Sequence, residues 1–144
     1  MRTKEFIEKL EDDRIVRAIA AAEATTSGEI RVFIQRGEVA DPVGSARKQF
    51  ERLGMTKTRE RNGILVFIAP RAQKFAVIGD QGVHEKCGDA FWQTLTQAMQ
   101  TDFQAQNFTD AVVHAIQEAG QLLAQHFPRR PDDRDELPNT VLES

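Results

Sequence analysis

The chain has 144 residues, a length that favours one domain with a genuine hydrophobic core. Its formal net charge of −3 argues against general nucleic-acid binding, which needs a strongly basic surface. A single cysteine, Cys87, excludes an internal disulfide and fits a reducing compartment. The N-terminus shows no apolar signal segment, and no apolar run approaches the roughly 20 residues of a membrane helix. We therefore expect a soluble, cytoplasmic protein, or one from which a leader has been removed.

The N-terminal third of the sequence predicts two helices and a strand. Residues 6–10 carry a short apolar stripe, and a longer helix starts at Asp12 or Asp13 and stops near Gly28. Residues 29–35 alternate between apolar and polar side chains, which predicts a partly exposed strand.

The stretch from Ile64 to Ala69 is apolar at every position, so both of its faces must be covered. This pattern predicts a central strand with helices above and below it. The helix predicted from Pro42 to Gly54 joins this strand to the first one, which favours a parallel pair with a right-handed crossover. The break at residues 70–73 suits a hairpin, so the strand at residues 75–79 is predicted to be antiparallel.

The C-terminal half is predicted to be helical. Residues 83–86 suit a single helical turn, Asp89 suits the N-cap of a long helix, and Thr109 suits the N-cap of the last helix, which ends at Pro128. The predicted fold class is α/β, a three-layer-like sandwich with a small mixed sheet of three to four strands flanked by helices. Residues 1–128 form the domain. Residues 129–144 form a charged, proline-containing tail, extended or disordered unless it packs through Leu137, Val141 and Leu142.

A loop after the central hairpin is the first candidate for chemistry. Asp80 lies between Gly79 and Gly82, and two further carboxylates follow at Glu85 and Asp89. Carboxylates on a glycine-bent loop are ligands that Ca²⁺ or Mg²⁺ prefers, so the three are a candidate metal site. The alternative is that Asp80 occupies a turn, Glu85 is solvated and Asp89 only caps a helix.

Basic residues cluster around the connection before the central strand and around the hairpin. Arg61, Arg71 and Lys74 are the candidates for binding an anion such as a phosphate group. The alternative is that these side chains simply face solvent. The sequence carries neither a serine nucleophile elbow nor a phosphate-binding glycine loop.

Several segments together resemble the TPM domain. They are Thr26–Val32, Phe50–Gly54, Arg61–Ala69, Lys74–Gly79 with Arg71, and Phe103 and Phe108 with the final helix, spanning about residues 12–128. The resemblance implies an α/β sandwich, Ca²⁺ binding by acidic side chains at the loop edge of the sheet, and, for bacterial members, membrane-anchored companions of the LemA type. Some plant members are described as acid phosphatases.

The chain departs from that family pattern at the candidate site. Members often have Asp directly before the Asn-Gly pair, where this chain has Arg61, and the residues between Gly79 and Asp89 keep only part of the acidic set. The hypothesis favoured by the resemblance is a non-catalytic module that binds a divalent cation and serves a membrane-associated complex without spanning the membrane. One alternative is a metal-assisted phosphohydrolase in which Arg71 or Lys74 holds a phosphate. Another is a protein-interaction domain that binds no ion and contacts its partner through Trp92, the hairpin or the tail.

Overall fold

The computed structural model describes residues 2–129 and 141–143 and shows an α/β fold. In chain order its elements are α1 Thr3–Lys9, α2 Asp12–Glu23, β1 Glu29–Ile34, α3 Pro42–Arg52, a short 3-10 helix Met55–Lys57, β2 Gly63–Ala69, β3 Lys74–Gly79, α4 Gln81–Lys86, α5 Asp89–Gln104, α6 Phe108–His126 and β4 Val141–Glu143.

Within the described residues, four strands form one mixed sheet in the order β3-β2-β1-β4. β1 and β2 are parallel, with Ile30 opposite Ile64, and α3 lies between them in the chain. β2 and β3 are antiparallel, with Ile64 opposite Gly79. The predicted mixed sheet, with its parallel pair and its hairpin, is confirmed.

β2 lies at the centre of the hydrophobic core, since all seven of its residues are buried. Alternate residues of a strand point to opposite faces, and here each face packs against its own apolar cluster. Ile64, Val66 and Ile68 pack into a large cluster with residues of α1, α2, α5 and α6. The residues between them pack into a smaller cluster with Ala46 and Phe50 of α3. Helices therefore cover both faces, as the uninterrupted apolar run predicted.

The prediction that the first strand is partly exposed is wrong, because all six residues of β1 are buried. Arg31, which the alternating pattern placed towards solvent, is 6% exposed and its Nη1 lies 3.5 Å from the Leu53 carbonyl oxygen. β4 pairs in parallel with β1, with Leu142 opposite Phe33, so β1 is an inner strand. The local pattern could not show this because the covering strand comes from the far end of the chain.

The helix starts differ slightly from the predicted ones. α5 has Gly88 as its N-cap, one residue before Asp89, and α6 has Asn107 rather than Thr109. The Thr109 hydroxyl instead accepts a hydrogen bond of 3.1 Å from the backbone N–H of Glu11. Thr109 thus joins the start of α6 to the turn between α1 and α2.

Part of the C-terminal tail packs on the sheet. Val141 contacts the large apolar cluster and Leu142 the small one, as the sequence allowed. Leu137, the third tail residue named above, lies outside the described residues. Among the helices of the described residues, none combines the length and the hydropathy needed to cross a bilayer.

Candidate functional site

The candidate site lies at the edge of the sheet where β1 and β2 begin and β3 ends. Because β3 runs antiparallel to β2, its last residues return to the start of β2. The Asp80 N–H donates a hydrogen bond of 2.9 Å to the Gly63 carbonyl oxygen. This edge therefore brings together the segments 26–29, 58–62 and 79–82, which are far apart in the sequence.

Asp80 is the N-cap of α4, and only this residue separates β3 from the helix. Its carboxylate Oδ1 accepts a hydrogen bond of 2.8 Å from the Gln81 N–H. Asp80 is 6% exposed, so its negative charge is held close to the protein interior. A short polar side chain at an N-cap satisfies helix N–H groups that have no partner within the helix.

Arg61 forms a two-pronged ion pair with Asp80. The guanidinium Nε lies 2.7 Å from Oδ2 and Nη2 lies 2.8 Å from Oδ1. This hydrogen-bonded pairing, together with the attraction of the carboxylate charge, raises the pKa of Arg61. The Gly82 N–H in turn donates 2.9 Å to the Arg61 carbonyl oxygen. The loop before β2 and the start of α4 are thus joined both by a side-chain ion pair and by a backbone hydrogen bond.

A second cluster of polar side chains lies at the same edge. The Ser27 hydroxyl donates to the Glu60 carboxylate, and the Asn62 side-chain amide donates 3.1 Å to the Ser27 hydroxyl and 3.3 Å to Glu60. The Asn62 backbone N–H donates 3.3 Å to the Thr58 hydroxyl. Asn62 is 1% exposed, so these bonds fix the start of β2 against the start of β1.

Buried charges lie behind these clusters. Glu23 accepts a hydrogen bond of 2.8 Å from the Ile30 N–H, and Glu29 is 1% exposed. Burial lowers the pKa of Arg31, while the nearby charges of Glu29 and Glu23 act in the opposite direction. These charged residues and the Ser27 cluster were not among the predicted site residues. For Ser27, Glu29, Arg31 and Asn62 the signal was their place in the segments Thr26–Val32 and Arg61–Ala69 that carry the TPM resemblance, whereas Glu23, Thr58 and Glu60 lie outside those segments.

The structure separates the roles of the predicted metal ligands. Asp80 gives both carboxylate oxygens to Arg61 and the Gln81 amide, and Glu85 is exposed on α4. Asp89 is the first residue of α5, and its side chain lies outside the described part. Within the described residues, no three histidine, cysteine, aspartate or glutamate side chains are grouped to hold a metal ion. A cation at Asp80 would have to displace the Arg61 guanidinium, and the three-carboxylate site stays a prediction.

The predicted anion-binding residues do not come together. Arg61 lies beside Asp80, whereas Arg71 and Lys74 lie at the hairpin, at the opposite end of β2 and β3. Seven residues of β2 separate the two ends, a distance of about 20 Å. Arg71 pairs with Glu38 at 3.5 Å, and the Lys74 ammonium donates 3.1 Å to the Ala40 carbonyl oxygen. One small phosphate ester could not contact both ends.

The fold and this edge define a small α/β domain. Its buried carboxylate, Asp80, is occupied by an ion pair with Arg61 of the same chain. The model of the TPM domain matches residues 2–122. The chain therefore belongs to the TPM domain family.

Comparison with solved structures agrees with this assignment. The NMR structure of the BA42 protein from the psychrophilic bacterium Bizionia argentinensis is 40% identical, with a TM-score of 0.86 over 93% of this chain and 92% of that one. The N-terminal domain of the cg2496 protein from Corynebacterium glutamicum is 16% identical, with a TM-score of 0.59 over 77% of this chain and 70% of that one, a likeness of fold alone. No functionally curated protein matches the chain.

Proposed function

We propose that the chain is a non-catalytic TPM-domain module that acts as an accessory protein by binding other macromolecules. The observation that supports this most is the engagement of Asp80 by Arg61 and the Gln81 amide. The carboxylate that a hydrolase would use to hold a metal or activate water here fastens a loop to a helix. The hydrogen bonds of Asp80 therefore stabilise this edge of the sheet.

The separation of the basic residues also favours a binding module over the phosphohydrolase alternative. In that alternative, a cation at Asp80 activates water while Arg71 or Lys74 holds the phosphate. These groups lie at opposite ends of β2, about 20 Å apart. General acid–base catalysis requires groups within hydrogen-bond reach of the same reacting atoms.

Catalysis is tested by following hydrolysis of a generic phosphomonoester, such as p-nitrophenyl phosphate, with Ca²⁺, with Mg²⁺ and with chelator. We expect the wild-type rate to equal that of the Asp80→Asn variant under every condition. Turnover that needs a divalent cation and disappears in Asp80→Asn would refute the non-catalytic proposal.

Cation binding is tested by the melting temperature, because a ligand that binds only the folded state raises it. We expect Ca²⁺ to raise the melting temperature of Arg61→Ala more than that of the wild type, since the substitution frees the Asp80 carboxylate. Arg71→Ala, at the other end of the hairpin, is the matched control. If Arg61→Ala responds no better than Arg71→Ala, then Asp80 is not a cation ligand.

The partner expected from the family resemblance is a membrane-anchored protein of the LemA type. Purified partner and chain, mixed at known concentrations, would report the association by light scattering.

A further inference from the structure

Charge is divided unevenly between the two sides of the sheet. The α3 side comprises residues 36–59, which include α3 and the 3-10 helix, and the hairpin residues 70–74. It carries eight exposed lysine and arginine side chains and three exposed acidic ones. On the other side, α5 and α6 contain four acidic residues and neither lysine nor arginine. The domain is therefore basic on one side and acidic on the other, although its net charge is only −3.

Contacts with the smaller apolar cluster show that the segments of the α3 side lie together. The residues that anchor them in this cluster are Val39, Phe50 and Met55. At the hairpin, Lys74 shares a face of β3 with Ala76, which belongs to the same cluster. The Lys74 ammonium accordingly donates a hydrogen bond of 3.1 Å to the Ala40 carbonyl oxygen, just before α3. The exposed basic residues of this side therefore include Arg36, Arg47, Lys48, Arg52, Lys57 and Lys74.

The basic residues extend over most of the α3 side. α3 has 11 residues and is about 16 Å long. Arg36 follows the end of β1, whereas Lys57 precedes the start of the parallel strand β2. The two residues therefore lie at opposite ends of the sheet, about 20 Å apart. A single small anion could not contact both ends, so this distribution of charge suits an extended anionic surface.

The other side chains of the α3 side favour a lipid surface over a protein partner. Protein interfaces are enriched in aromatic residues and depleted in lysine. Phe33, Phe50 and Phe67, which face this side, are all buried. Among the described residues the large hydrophobic side chain that is exposed is Val43, 46% exposed and four residues before Arg47 on the same face of α3. Basic side chains beside an exposed apolar one are typical of surfaces that adsorb on anionic lipids.

The acidic side of the domain does not oppose such a contact. α5 and α6 lie beyond the sheet, in the layer of the large apolar cluster. A helix is about 10 Å thick, so the outer faces of the two helical layers are separated by more than the Debye length of about 8 Å at physiological salt. A lipid surface that contacts α3 is therefore screened from the charges of α5 and α6.

We propose that the α3 side docks on a membrane surface that contains anionic lipids, with the α5–α6 side turned away from it. The lysine and arginine side chains supply the attraction, and Val43 contacts the interfacial region of the lipids. This contact is additional to the accessory role proposed above and does not depend on it.

The test uses the full chain and two kinds of vesicle, one of phosphatidylcholine alone and one of equal parts phosphatidylcholine and phosphatidylserine. Binding is measured by co-sedimentation. At about 0.05 M NaCl we expect the mixed vesicles to bind the chain at least about tenfold more tightly than phosphatidylcholine alone, and we expect this difference to disappear at about 0.5 M NaCl.

Charge reversal locates the contact on the domain. We expect Arg47→Glu combined with Lys48→Glu to weaken binding to the mixed vesicles by about tenfold or more, since each basic residue near an anionic surface contributes about fivefold. The matched control is Lys4→Glu combined with Arg17→Glu, which changes the net charge equally at exposed positions of α1 and α2 and should cost less than about twofold.

Two further variants test the orientation. Arg36→Glu combined with Lys57→Glu, from the two ends of the α3 side, should weaken binding as much as the reversal on α3, and it keeps the test valid if the α3 variant is poorly folded. Val43→Ser should weaken binding by about two- to fivefold, because it removes apolar contact with the lipids. Circular dichroism verifies that each variant is folded.

Three results would overturn the proposal. They are equal binding to the two kinds of vesicle, an equal loss of binding in the control Lys4→Glu with Arg17→Glu, and tighter binding to polyglutamate or duplex DNA than to the mixed vesicles, since another polyanion would then be the occupant. Vesicle binding is independent of phosphomonoester turnover. Turnover would refute the non-catalytic proposal, whereas failed vesicle binding would remove only the membrane contact.

Discussion

At the scale of single residues, the candidate site is held together by contacts that leave little room for change. Gly82 shows this most directly, because the carbonyl oxygens of the preceding loop approach its Cα. A Cβ at this position would lie 2.5 Å from the Glu60 carbonyl oxygen and 2.6 Å from that of Arg61. The same glycine donates its N–H to Arg61, so the loop cannot move away without losing that bond.

Gly82→Ala is therefore expected to destabilise the fold by about 1–3 kcal/mol, near the upper end because the atoms in contact are backbone. Gly88→Ala is the comparison, since a Cβ there meets nothing within 4 Å and the only expected cost is the smaller one of alanine at the N-cap of α5. Urea denaturation of the two variants gives the comparison. Equal free energies of unfolding would show that the loop before β2 can shift to accommodate the added methyl group at little cost.

Cys87 is a second residue whose surroundings set its chemistry. It packs beside the large apolar cluster, and burial raises the pKa of its thiol. The folded state therefore favours the protonated form. The resulting contribution to stability is present below the unfolded pKa of the thiol and is lost as the pH rises through its folded pKa.

We expect Cys87 to react with iodoacetamide more slowly than a free thiol near pH 8.5, because less of it is thiolate and it is partly covered. The rate in urea serves as the unfolded reference. A folded chain that reacts as fast as the unfolded one would contradict this expectation.

At the scale of the elements, the tail strand β4 decides the environment of β1. Val141 packs against the large cluster and Leu142 against the small one, so this short strand contributes one side chain to each apolar layer. The strand Val141–Glu143 pairs in parallel with residues 32–34 of β1. A short segment far along the chain thus converts a potential edge strand into an inner one.

The double variant Val141→Ser and Leu142→Ser is expected to lower the free energy of unfolding by about 1–3 kcal/mol, because both side chains are partly buried. Val43→Ser, on the exposed face of α3 and 46% exposed, should change it by less than about 0.5 kcal/mol. Denaturation in urea measures both. A tail variant as mild as Val43→Ser would mean that β4 adds little to the sheet.

At the scale of the whole molecule, the sheet joins two apolar layers into one cooperative unit. β1 and β2 contribute alternate residues to both clusters. Phe33 and Phe67 stack on the α3 side, with centroids 6.1 Å apart, whereas Trp92 lies on the other side of the sheet in the large layer. A destabilising substitution in either apolar layer should therefore lower the stability of the whole domain.

Phe67→Ala is expected to lower the free energy of unfolding by about 3–5 kcal/mol, the usual cost of truncating a fully buried phenylalanine. Trp92 fluorescence and far-ultraviolet circular dichroism should report the same shifted midpoint, because one transition unfolds both layers. Separate midpoints would show that the α3 layer opens independently of the rest.

The local pattern of the chain determined the central part of this architecture. The apolar run of β2 required cover on both faces, the four-residue break required a hairpin, and the helix between β1 and β2 required a parallel pair. These follow from periodicity and connection length, which are local properties. The family assignment also followed from short segments of sequence.

Tertiary structure decided the rest. The burial of β1, the pairing of Arg61 with Asp80, and the wide separation of Arg61 from Arg71 and Lys74 all depend on which distant segments meet. Charge and spacing along the chain placed three carboxylates and three basic residues near one another, but the hairpin sends the basic residues to opposite ends of the sheet. The sequence shows which kinds of bond each side chain can form. Which partner it bonds to depends on the tertiary structure, because the partner belongs to another helix, strand or loop.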